Sequence, residues 1–152
     1  MQHEEILKHL FKQYFKEDCL AVIQLPQAGS DRIYFRLKDA GNSAIATYGK
    51  DTKENETFIH HTKHFHQKFI TVPQVYIASD DKKYYLQQDL GDTSLYSIIK
   101  QEGISENVIK HLKEVLQQLT YLQIRGAEHF NFATCYPIQE FNRSSMFWDL
   151  NS

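Results

Sequence analysis

A chain of 152 residues is long enough for one ordinary domain, or for one lobe and part of a second. Its hydrophobic share of 41% and charged share of 24% are those of a folded globular chain and argue against disorder, while 17 Lys and Arg against 19 Asp and Glu leave no basic field for nucleic acid or an anionic membrane. The two cysteines, Cys19 and Cys135, form no C-x-x-C pair, Met1 to Lys12 lacks a signal-peptide pattern, and no apolar run approaches the ~20 residues that span a bilayer. A cytoplasmic protein with no membrane or nucleic-acid partner is the expectation.

Residues 4–16 place Ile6, Leu7, Leu10, Phe11, Tyr14 and Phe15 at helical spacing, which predicts an amphipathic helix. Cys19 to Leu25 reads as a short strand that Pro26 breaks, followed by the loop Gln27-Ala28-Gly29-Ser30-Asp31. Ile33 to Leu37 and Ser43 to Tyr48 are strands joined by the turn Asp39-Ala40-Gly41-Asn42. A helix is predicted from Lys53 to Phe69, with Phe58, Thr62, Phe65 and Phe69 as its inward stripe. Val72 to Ile77 and Lys83 to Gln88 are two further strands around the turn Ser79-Asp80-Asp81.

Beyond Gly91-Asp92-Thr93-Ser94 the pattern turns helical, first from Leu95 to Lys100 and then from Ser105 to about Arg125. The second of these directs Ile109, Leu112, Leu116, Leu119 and Leu122 inward, with Ser105 as N-cap and Gly126 as stop. A new helix is expected near Ser144 or Ser145. The order predicts an α+β fold, with a five-stranded antiparallel sheet, one helix packed on it, and a helical segment after it.

Two stretches carry chemistry. Ala28, Gly29 and Ser30 form a small-residue turn whose backbone N–H groups could approach phosphate oxygens, with Ser30 and Arg32 adding hydroxyl and guanidinium donors. Taken alone, the turn reads more readily as a plain hairpin, and it is no Walker loop. In the second stretch, Tyr84-Tyr85-Leu86-Gln87-Gln88-Asp89-Leu90-Gly91-Asp92, a strand runs into a glycine turn that opens a helix. Four histidines, His60, His61, His64 and His66, crowd one helix; only His60 and His64 share a face and no third ligand follows, so a solvated surface without metal is the reading.

Gly29-Ser30-Asp31-Arg32-Ile33-Tyr34-Phe35-Arg36, Glu54-Asn55-Glu56-Thr57-Phe58-Ile59, Thr71-Val72-Pro73-Gln74-Val75 and Leu86-Gln87-Gln88-Asp89-Leu90-Gly91-Asp92 occur in that order. Together they resemble the aminoglycoside phosphotransferase and choline kinase family, which has the protein-kinase-like fold, and its cell-wall amino-sugar kinase branch in particular. The resemblance covers roughly residues 20–125. It implies an N-terminal nucleotide-binding lobe over 1–88, a hinge at 89–92 and a partial helical lobe over 93–152. It also implies an ATP-dependent phosphotransferase acting on a hydroxyl-bearing substrate such as an amino sugar or aminoglycoside. Gly29, Ser30, Arg32, Ala46, Glu54, Gln88 and Leu90 would then bind the nucleotide. Gln88 and Leu90 would offer hinge C=O and N–H groups to adenine, and Leu25, Ala46 and Leu86 would form apolar walls.

The resemblance further implies a helix glutamate that pairs with a phosphate-holding lysine. Helical geometry puts Glu54 on the buried stripe of its helix and Glu56 nearly opposite, so Glu54 is the choice. The lysine is missing, since Ala44-Ile45-Ala46-Thr47-Tyr48 has none, and whether Lys50 or Lys53 replaces it stays open. No His-x-Asp with a downstream Asn follows the long helix, and Glu128, Glu140 and Asp149 fit no catalytic-loop pattern. No catalytic residue is therefore assigned, and the magnesium ligands are expected beyond the C-terminus. The chain by itself is expected to be inactive, and Phe130, Phe132, Tyr136, Phe141, Phe147 and Trp148 to form a sticky face for self-association. A non-catalytic nucleotide-sensing or partner-binding module is the alternative.

Overall fold

A computed structural model describes residues 2–27, 31–138, 143, 144 and 147. The expected helix near Ser144, and Phe141, Trp148, Glu140 and Asp149, lie largely or wholly outside them. The described chain is α+β: α1 (Gln2–Phe15), β1 (Ala21–Gln24), β2 (Ile33–Lys38), β3 (Ser43–Tyr48), α2 (Thr52–Gln67), β4 (Val75–Ala78), β5 (Tyr84–Gln88), α3 (Leu95–Glu102) and α4 (Glu106–Ile124). A single 3-10 turn, Phe132–Thr134, follows α4. Among the described residues no helix is long and apolar enough to cross a membrane.

All five strands pair antiparallel in the order β1-β2-β3-β5-β4. Strand alternation gives the sheet two distinct faces. On one, Phe35, Leu37, Ala44, Ala46, Tyr84 and Leu86 pack under Leu7, Leu10 and Phe11 of α1, forming the main core. On the other stand their neighbours Tyr34, Arg36, Ile45, Thr47, Tyr85 and Gln87. The Tyr85 ring stacks on Phe58 of α2 at 5.3 Å between centroids. Two helices therefore flank the sheet, where one was expected; α1 earns its place because its apolar residues fall on a single stripe at i, i+3 and i+4.

The inward stripe of α2 also ends differently. Phe69 is 87% exposed and left-handed at φ 58°, just past the helix end. Ile70 takes the buried place, donating its N–H to the Phe65 carbonyl at 3.0 Å in a Schellman-type closure. Within the helix, Asn55 and Thr62 are the buried residues.

The long α4 departs most from the expected packing. Ser105 caps it by accepting from the Val108 N–H at 3.1 Å, as its position predicts. Only Val108 is buried on that helix. Ile109, Leu112, Leu116 and Leu119 form its apolar stripe but remain 41–63% exposed, because no described element covers them.

Candidate functional site

The angle between the sheet's second face and α2 gathers three of the predicted residues, Leu25, Arg32 and Glu54. Leu25 belongs there: its N–H bonds to the Tyr34 carbonyl at 2.8 Å, and cross-strand partners share a face. Ala46 does not. It is wholly buried beneath α1, so the residue that strand β3 turns toward α2 at this level is Ile45, with Thr47 two positions on. Leu86 fails as a wall for the same reason, since its alternation partner Gln87 faces the angle. Gly29 and Ser30 lie outside the described residues, as does Ala28.

Glu54 and Arg32 meet. The Arg32 Nη2 lies 3.1 Å from Glu54 Oε1, and the guanidinium sits 5.7 Å from the centre of the Phe58 ring. The arginine side chain is 14% exposed and the glutamate 49%. What brings Glu54 here is the start of α2. Asp51 Oδ1 accepts from the N–H groups of Lys53 and Glu54 at 3.0 and 3.1 Å, and Asp51 Oδ2 accepts from the Tyr136 hydroxyl at 2.9 Å. Those bonds, led by the one from Glu54, hold the Asp51 carboxyl below its ordinary value. Burial pushes the Tyr85 hydroxyl up, against the opposing charge of Arg32 nearby. Glu56 points elsewhere, to a cavity of about 320 Å³ shared with Ile59, His60 and Lys63, so the two glutamates separate as helical geometry requires.

Asn55, between those glutamates, is a residue that sequence reasoning missed. It is wholly buried, and its Nδ2 donates to the carbonyls of Gly49 at 2.9 Å and Lys82 at 2.8 Å. It thus ties α2 to the turns at one end of β3 and β5. A run of Glu-Asn-Glu at a helix start reads as solvent-facing, and nothing local marks its middle residue as a staple.

The connector after β5 is held by charge. The Asp89 carboxylate accepts from Ser43 Oγ, from the Gly91 N–H at 2.9 Å and from Arg36 Nη2 at 3.1 Å, and lies 2.8 Å from Arg36 Nε. Arg36 Nη1 reaches Asp92 at 2.8 Å. Burial would raise the Asp89 carboxyl, but the bonds from Ser43, Gly91 and Arg36 outweigh it and hold it below the ordinary value. Gly91, at φ 81°, closes this turn where a side chain would be strained. Leu90 is exposed between the two aspartates, and the Gln88 N–H donates to the Gln74 carbonyl at 2.8 Å.

The outer face of α2 is occupied rather than solvated at two of its histidines. His64 Nε2 lies 2.8 Å from the Gly126 carbonyl and His61 Nε2 3.3 Å from Thr134 Oγ1. Phe130 stacks on Phe65 at an interplanar angle of 4°. Burial, with the His60 and His64 charges adding to it, lowers the His61 pKa. The aromatic residues of the 126–134 segment supply the cover that the histidine spacing could not anticipate. Among the described residues no group of three or more His, Cys, Asp or Glu could hold a metal ion.

No protein-family model matches the chain, and no curated protein matches it in sequence.

Proposed function

We propose that this chain is the nucleotide-binding part of an ATP-dependent phosphotransferase resembling the aminoglycoside phosphotransferase and choline kinase family, with a small hydroxyl-bearing acceptor such as an amino sugar or aminoglycoside. The observation that carries the reading is the Arg32–Glu54 pair. It sets a cation, supported by a helix carboxylate, at the end of the small-residue turn and over the sheet face that α2 flanks. A phosphate chain suits that cation. Leu25 and Ile45 supply apolar surface on the same face, and the connector at Gln88 to Leu90 lies at its edge. ATP would bring the transferable phosphoryl group and magnesium would neutralise its charge; on this side of the reaction, the chain's own residues bind and orient.

Titration with ATP is expected to shift the backbone amide signals of residues 31–34 and 87–91. Shifts that miss both segments would argue for a domain that binds no nucleotide. A non-catalytic nucleotide-sensing or partner-binding module is the alternative reading.

We also propose self-association, through an α4 stripe in addition to the aromatic residues expected, of which Phe132, Tyr136 and Phe147 are exposed. Phe130 is half-buried against Phe65, whereas Ile109, Leu112, Leu116 and Leu119 present an uncovered stripe at spacings of three and four. Light scattering is expected to give a mass above 17.9 kDa that rises with concentration. Leu116→Glu should return it to the monomer value, and a wild-type chain that stays monomeric at all concentrations would refute the proposal.

A further inference from the structure

We propose that the groove between α2 and the edge strand β4 docks an extended, acidic segment of a partner protein, whether or not the chain binds nucleotide. Strand β4 ends the strand order, so among the described residues only β5 pairs with it and the backbone groups along its other edge have no ladder partner. Two cavities, of about 320 and 400 Å³, lie between this strand and α2. Both are lined by Lys63 and Val75, so they form one groove, and Glu54 lines neither. Its helix wall runs from Glu56 to Gln67, which at 1.5 Å per residue is about 16 Å, and its strand wall from Gln74 to Ala78. About five extended residues, at ~3.3 Å each, fill that length.

Charge decides what the occupant is. Lys63 from α2 and Lys82 from the turn after β4 line the groove together with His60 and His66, against the single carboxylate of Glu56. Neither lysine has an ion-pair partner among the described residues. Ile59 and Val75 add apolar surface. Carboxylates on alternate residues of an extended segment would fall on one face and meet the two lysines, while its backbone pairs with the free edge of β4. A second copy of this chain suits the groove less well, because its own β4 edge would bring the same lysines against these. The register slip between Val75 and Ile77 also breaks the edge, which limits backbone pairing to a short stretch and leaves selection to the side chains.

Titration of the whole chain with the end-blocked peptide Glu-Val-Glu-Val-Glu, followed by backbone amide signals, tests this. Saturable shifts are expected in residues 56–67 and 74–78, and none with Lys-Val-Lys-Val-Lys. Lys63 is exposed, so Lys63→Glu keeps the fold, and it is expected to weaken the acidic peptide by about tenfold or more. Lys82 has a left-handed φ of 58°, which asparagine tolerates, so Lys82→Asn removes the charge alone and is expected to cost about threefold or more. Methylating the peptide's central backbone nitrogen should weaken it as well, since a strand laid on β4 donates from there or from its neighbours. Shifts outside both walls, equal binding of the lysine peptide, or unchanged affinity in both lysine variants would overturn the proposal. So would the absence of saturable shifts up to ~1 mM peptide. Signals of residues 74–78 that move with protein concentration in the absence of peptide would place a second copy on the edge, and overturn the proposal too.

Discussion

Asp89→Ala is expected to lower the unfolding free energy by about 3–5 kcal/mol, because it leaves the Arg36 guanidinium buried without its main partner. The two side chains are only 9% and 11% exposed, so water cannot replace what is lost. Alanine also strips acceptors from Ser43 and from the Gly91 N–H, which frees the connector between sheet and helices. Asp89→Asn keeps the shape and part of the hydrogen bonding, and should cost roughly half as much. Urea unfolding followed by circular dichroism measures both, and a loss below about 1 kcal/mol for the alanine variant would show that the pair is a surface-type contact.

The same carboxylate predicts a pH dependence. Its pKa in the folded chain lies below the ordinary 3.8, so the native state binds its proton more weakly than the unfolded state does. The stability this confers is fully present above pH 3.8 and is lost as pH falls below that value toward the folded-state pKa. Wild type is therefore expected to lose stability on acidification through this range, and Asp89→Asn to show a shallower loss. Equal slopes in the two proteins would remove Asp89 from the account of acid unfolding.

Asn55→Asp is expected to cost about 3–5 kcal/mol, since it removes both amide donors and sets a buried carboxylate against two carbonyl oxygens. Gly49 and Lys82 would be the carbonyls left facing it, at the present distances of 2.9 and 2.8 Å. Asn55→Ala removes the donors without adding charge, and about 2–3 kcal/mol is expected. The neighbouring Gly49→Ala probes the same contact from the other side. A Cβ there would lie 2.5 Å from Asn55 Oδ1, so the amide must move away from the carbonyls it serves. Thermal unfolding should place Asn55→Asp lowest of the three, and an aspartate variant as stable as the alanine one would mean that solvent reaches this site.

The sequence by itself determined the elements and their order. Each strand and helix forms within a few residues of where local pattern puts it, because alternation, helical spacing and turn chemistry act over short stretches. Strand β3 runs from Ser43 to Tyr48 as predicted, and Ser105 caps α4 as predicted. The angular argument separates Glu54 from Glu56, since a helix imposes that whatever packs around it, but the buried position it gave to Glu54 belongs to Asn55, and Glu54 itself is half exposed.

What only the tertiary structure decided is which face of each element meets which neighbour. Both faces of β3 are buried, so its pattern could not say that Ala46 lies under α1 and Ile45 toward α2. Amphipathic spacing marks the apolar stripe of α4 but not whether anything covers it. Arg36 finds Asp89 across 53 residues, Asn55 finds Lys82 across 27, and Arg32 finds Glu54 from the far side of a hairpin. Polar side chains so placed look locally like surface residues. Their partners are chosen by how the strands stack and where α2 begins, and burial then makes each pairing obligatory, because a charge or amide removed from water must be satisfied by whatever the fold brings beside it.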